Sequence, residues 1–154
     1  MAIHTIVKLD HFSRVGLRYL DAIIPKVGEE VSDYLHPSLR GLNPAGPLLY
    51  SMSEASNVTP IGPLGLEGRM VTRAIQANGK LTCPPDSNPF GLVFLPKFAG
   101  LPEMQFGMID IDHSVELIFD PETRLIELQL AHLHEGTSAA FHAMLTPHAM
   151  AAWD

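Results

Sequence analysis

The chain has one cysteine and one tryptophan among 154 residues. It also lacks any run of eighteen or so apolar residues, so no membrane-crossing helix is predicted. A lone Cys83 excludes an internal disulfide and a cysteine-based metal set, and it predicts a reducing, cytoplasmic setting. With no basic neighbour to activate it, Cys83 reads as a small strand residue. Met1 to Lys8 does not have the basic segment, apolar run and small-residue cleavage site of a signal peptide, so no secretory leader is expected. Positive charge is scarce too: 10 Lys and Arg stand against 17 Asp and Glu, for a net charge of −7. The ten basic residues are dispersed as single charges, which argues against nucleic acid as a partner. Missing as well are a P-loop, G-x-G-x-x-G, a G-x-S-x-G elbow and H-E-x-x-H, so no nucleotide, nucleophile-triad or zincin signature is present.

What is present points to one folded domain over residues 1–154. Apolar residues make up 46% and charged residues 18% of the chain, ordinary globular usage. Ser13 to Ile24, SRVGLRYLDAII, sets Val15, Leu17 and Tyr19 on one side and Gly16, Arg18 and Leu20 on the other. That alternation predicts a strand with one buried face, stopped by Pro25. Gly16 in its middle predicts a bend or a close neighbour. Shorter strands are expected at Ile3 to Leu9, Leu49 to Ala55, Leu92 to Leu95 and Gln105 to Val115. The dipeptide Asn78-Gly79, between MVTRAIQA and KLTC, predicts a two-residue hairpin because both residues tolerate positive φ. The Pro/Gly-dense stretches Pro37 to Pro47, Thr59 to Gly65 and Pro84 to Gly91 read as long loops.

Helical spacing is concentrated at the end. Val31, Tyr34 and Leu35 allow one or two turns before Pro37. Asp120-Pro121 signals a helix start. Downstream, Ile126, Leu130, Leu133, Phe141 and Met144, with Thr137 filling the gap, form one apolar stripe. Gly136 inside that stripe costs about 1 kcal/mol relative to Ala, which predicts a close crossing or a slight bend. Thr146-Pro147 repeats the start signal and predicts a short last helix through Trp153. Strands first and a long helix last give an α+β fold, a mainly antiparallel sheet with long Pro/Gly-rich loops covered by the C-terminal helix.

Chemistry-bearing residues cluster in two places. His132, His134, His142 and His148 lie in the helical tail, where His132 and His134 point about 160° apart and His142, nearly three turns from His132, cannot share an ion with it. His132, Glu135, Ala139 and His142 share a face. The IDIDHS segment sets Asp110 and Asp112 on one face of a strand and His113 on the other. The plain reading of Asp110 and Asp112 is a solvated strand face, and of the histidines exposed or satisfied polar groups. The sharper reading brings His134, Glu135, Asp110 and Asp112 into one cleft as acid–base groups, with His113 and His134 as candidate metal ligands. No cofactor is implied. Arg14, Arg18 and Asp21 are expected to pair within the sheet.

The stretch Arg14 to Ile23, R-V-G-L-R-Y-L-D-A-I, resembles the R-x-G-L-R-Y-hydrophobic-N-x-I strand of a sporadically distributed bacterial family of unknown function. Asp33-Tyr34-Leu35-His36-Pro37 is similar to that family's D-Y-L-N-P-like turn. Leu133-His134-Glu135, Phe141 and Leu145-Thr146 resemble its closing helix, L-H-E…F…L-T. Asp21 stands where the family has Asn. The chain corresponds to the C-terminal part of longer members, which implies an exposed sheet edge where N-terminal strands would lie. The resemblance implies no activity, and the sporadic distribution implies an accessory or defence-related role. The leading expectation is therefore a non-enzymatic protein–protein interaction module that pairs with a partner, or with itself as a homodimer, through an open sheet edge. Leu48, Leu49, Tyr50 and Phe98 are candidate contacts. The alternative is the metal-dependent or acid–base enzyme, and a third reading, a small-ligand carrier, requires an apolar cavity.

Overall fold

The alternation read over Ser13 to Ile24 is a strand. In the computed structural model, which describes residues 11–42, 46–63, 65–84, 86, 95–119 and 123–153, β1 runs Phe12–Ile23. It is followed by α1 (Val31–Tyr34), a 3-10 turn (Pro37–Leu39), β2 (Tyr50–Ile61), β3 (Leu66–Gly79), a second 3-10 turn (Pro96–Phe98) and β4 (Met104–Phe119). Helices α2 (Thr123–Met144) and α3 (Pro147–Trp153) close the order. The four strands make one antiparallel sheet in the order β1-β4-β3-β2. The α+β architecture, with a long C-terminal helix over an antiparallel sheet, is as expected.

Strand alternation assigns the layers. Toward α2 point Val15 and Ile23 of β1, Met70 and Ala74 of β3, and Ile109, Ile111, His113 and Val115 of β4. Ile109 and Ile111 join Ile23, Leu35 and Met144 in one core cluster, while Val15, Val115, Ile61 and Leu133 form a second. Along α2, Leu133, Thr137 and Met144 are buried, as the periodicity predicts. Phe141 is half-buried at the rim, where its ring stacks on Trp153. Gly136 is the close crossing: a Cβ there would stand 2.6 Å from His113 Cε1. On the reverse face, Ile75, Phe106 and Met108 pack with Leu81 and Phe98.

Two turn assignments change. Asn78-Gly79 is not a hairpin. β3 continues through both residues, which pair with Gln105 and Met104 of β4, and KLTC does not fold back as a strand, so Cys83 lies in irregular chain. A full-length partner strand outweighs local turn preference there. Asn78 is used instead as a tether, its backbone N donating to Leu49 O at 3.1 Å and its Nδ2 to Leu48 O at 2.7 Å. The hairpin turn falls at Gly62 to Gly65, inside a stretch read as loop, where both glycines have positive φ, 64° and 66°. β2 is correspondingly longer than the Leu49 to Ala55 expectation and runs through Pro60. The expected strand at Ile3 to Leu9, most of Leu92 to Leu95 and the Asp120-Pro121 cap lie outside the described residues.

Two of the stretches that carry the family resemblance, Asp33 to Pro37 and Leu133 to Thr146, interlock. Thr146 Oγ1 donates to Asp33 O at 2.6 Å, Thr146 N to Tyr34 O at 2.9 Å and His36 N to Met144 O at 2.8 Å. Leu35 and Leu145 form a β-bridge. Thr146 also caps α3, accepting from Ala149 N at 3.2 Å.

Candidate functional site

Because side chains alternate along β4, Asp110 and His113 cannot share a site. Asp110 and Asp112 face away from α2, and His113 faces toward it. The acid–base constellation of His134, Glu135, Asp110 and Asp112 is therefore divided among three places, and the cleft that was to unite them does not form.

Asp110 lies at the centre of the reverse face at 1% exposure. Arg18 grips it with two bonds, Nε to Oδ1 and an Nη to Oδ2, both 2.8 Å, and Arg73 adds a third at 2.9 Å. Asp86 bridges the same two arginines from above, at 3.0 Å each, and Glu54 holds Arg73 from its other side at 2.6 Å. Arg14 reaches Asp112 at 3.2 Å. Neither aspartate is thus a simple solvated group. The Asp110 hydrogen bond raises the Arg18 pKa above the guanidinium range, and the Glu54 hydrogen bond does the same for Arg73. Hydrogen bonding from Arg18 holds the Asp86 carboxyl below its usual range. Both carboxylate oxygens of Asp110 are engaged in tying neighbouring strands together, which makes the residue structural.

His113 is also sealed, at 1% exposure. Its Nε2 lies 2.8 Å from Thr59 Oγ1 and its Nδ1 3.0 Å from Leu133 O, so both ring nitrogens are occupied beneath α2. On the β2/β3 flank of α2, Glu135 lies 3.5 Å from His132 Nδ1, and both side a hollow over Thr59 and Met70. Among the described residues no group of three His, Cys, Asp or Glu side chains converges to hold a metal ion, and His113 and His134 occupy different sites.

His134 lies on the other flank of α2, against β1. Its Nδ1 is 3.1 Å from Tyr19 Oη, and the two residues border a cleft of about 190 Å³ that also takes in Asp21, Ile111, Ser138 and Phe141. Asp21 is on the helix-facing side of β1, so it does not pair with Arg14 or Arg18 as expected. It makes no hydrogen bond or ion pair among the described residues, and burial pushes its carboxyl pKa up. The sequence reading selected His134 but passed over Tyr19, Phe141 and the cleft-facing side of Asp21. Period-2 counting from Tyr19 was the available signal for Asp21.

The remaining feature is the outer edge of β2. Asn78 N bonding to Leu49 O, with Tyr50 opposite Ala77, directs the backbone groups of odd-numbered β2 residues inward to β3. Tyr50, Met52, Glu54, Ser56 and Val58 therefore present N–H and C=O outward. Pro60, which has no N–H, falls at an outward position, the one place an edge strand tolerates it. Met52 is 48% exposed and Val58 72%. Leu49 and Tyr50 at the strand entrance are exposed, whereas Phe98 packs into the reverse-face core. Among the described residues no helix is long and apolar enough to cross a membrane. No family model, curated protein or solved structure matches the chain.

Proposed function

We propose that the protein is a non-enzymatic interaction module and that its edge strand β2 pairs antiparallel with β2 of a second copy. The observation that carries this reading is the self-complementarity of the edge. Outward-facing residues must lie opposite outward-facing residues, and a two-fold axis through Ala55 meets that condition. It sets Met52 opposite Val58 twice, Glu54 opposite Ser56, and Ser53 opposite Asn57. The two exposed apolar side chains cover each other on one face, and small polar residues meet on the other. Charge does not oppose the approach, because Glu54 is already bonded to Arg73 and β2 carries no other charged residue. Pro60 falls opposite Tyr50 at each end of the ladder, where a missing N–H costs one terminal bond per copy. The stretches that carry the family resemblance meet one another, Tyr19 with His134 and Asp33-Tyr34 with Thr146. Membership is part of the proposal.

The test uses Ala55→Cys in a Cys83→Ser background. Residues facing each other across a non-hydrogen-bonded antiparallel pair are close enough for a disulfide, so mild oxidation is expected to yield covalent dimer. Light scattering of the unmodified chain should show mass rising with concentration, and Val58→Lys should hold it monomeric. A strict monomer at every concentration, with no cross-link through the thiol introduced at position 55, refutes pairing with a second copy.

A further inference from the structure

We propose that the cleft between β1 and α2 binds a small protonated amine with an apolar body, the ammonium group against Asp21 and the body against Ile111 and Phe141. The inference is independent of strand pairing at β2, which lies at the far edge of the sheet.

Three observations converge on that chemistry. Asp21 lines the cleft without a partner among the described residues, and every arginine of β1 lies on the opposite face. A half-buried carboxylate left in this state favours either a proton or a cation brought from outside, and the direction of its pKa shift agrees. Two aromatic side chains, Tyr19 and Phe141, line the same cleft. A carboxylate in a cleft lined by aromatic rings suits an organic cation, whose charge is attracted to both. A divalent metal is poorly served, since Asp21 and His134 are the cleft's two candidate ligands and three or four are needed. An anion would face the carboxylate directly. The size also selects. Drug-sized ligands occupy pockets of roughly 300–1,000 Å³, and a cleft of about 190 Å³ takes a smaller molecule. Ser138 in the wall offers a hydroxyl to a bound N–H, while Tyr19 and His134, which also line the cleft, are hydrogen-bonded to each other.

The protein carries its own reporter. Trp153, the single tryptophan, stacks on Phe141 with ring centroids 5.5 Å apart and planes 19° apart. Benzylamine is expected to change Trp153 fluorescence saturably, and benzyl alcohol, its uncharged counterpart, to leave it unchanged over the same range. Asp21→Asn should weaken benzylamine binding at least tenfold. Ser138→Lys, which sets a tethered ammonium in the cleft, should abolish it, and it serves as the independent variant if Asp21→Asn does not fold. Equal responses to benzylamine and benzyl alcohol, or benzylamine affinity undiminished in a folded Asp21→Asn or Ser138→Lys protein, would overturn the proposal.

Discussion

The two faces of the sheet are built from the same strand by different means. Toward α2, β4 presents Ile109, Ile111 and Val115, which are held by burial against Ile23, Met144 and Leu133. On the reverse it presents Asp110 and Asp112, held by guanidinium groups from both neighbouring strands. Burial is non-directional and proportional to area, so the helix face tolerates modest repacking. Ion pairs depend on geometry and on both partners being present, so removal of one member leaves the others desolvated for nothing. The ionic face should therefore be the more brittle at its centre.

Removing the centre of either face is expected to give the two largest effects. Asp110→Ala leaves Arg18 and Arg73 without their buried acceptor and should cost about 3 kcal/mol in urea unfolding, the low end for a broken buried pair because both guanidinium groups keep some solvent. Leu133→Ala, at the centre of the other face, should cost about 2–5 kcal/mol by leaving a cavity. An Asp110→Ala loss below about 1 kcal/mol would mean that the ionic face contributes no more than surface pairs do.

A smaller effect sharpens the contrast at the helix. Gly136→Ala gains about 1 kcal/mol of helix propensity, but its methyl would press on His113, whose two ring nitrogens are pinned. A net loss of about 1–2 kcal/mol is expected from overpacking. A raised Tm would show that α2 lifts off the sheet without penalty.

The smallest effects concern one carboxylate from each face, and they carry opposite signs. The Asp86 pKa is depressed by Arg18, so its contribution is present above the ordinary carboxylate pKa and is lost as pH falls through the depressed value. Asp86→Asn should lower Tm near neutral pH, by the equivalent of about 0.5 kcal/mol because the group is half exposed. The Asp21 pKa is raised by burial, so the fold favours its protonated form, and that advantage disappears as pH rises through the raised value. Asp21→Asn should therefore raise Tm near neutral pH. The Asp21 difference should vanish in acid below the ordinary carboxylate pKa, and the Asp86 difference only below its own depressed value. A Tm shift of the same sign for the two variants would contradict this assignment of the faces.

Much of the fold was legible because it rests on local periodicity. The two-residue alternation of β1, the stripe through Leu133, Thr137 and Met144, the Thr146-Pro147 start of α3 and the close crossing at Gly136 all follow from spacing and residue type. The turn at Asn78-Gly79 was misread because β4 supplies a partner along the whole of β3, and a continuous ladder exceeds the preference of two residues. The candidate sites were less legible for a related reason. Asp110 meets Arg18 and Arg73 across strands far apart in the chain, and Asp86, from a proline-rich stretch without periodicity, completes the cluster.

Residue pattern by itself determined the α+β class and the placement of Asp110 and His113 on opposite faces. These follow from dihedral geometry and composition, which act over a few residues at a time. Tertiary structure decided that Asp110 meets Arg18 and Arg73, that Asp21 faces the cleft without a partner among the described residues, and that β1 and β2 are the outer strands of the sheet. Those outcomes depend on strand order and on where α2 lies, both set by burial summed over the whole sheet.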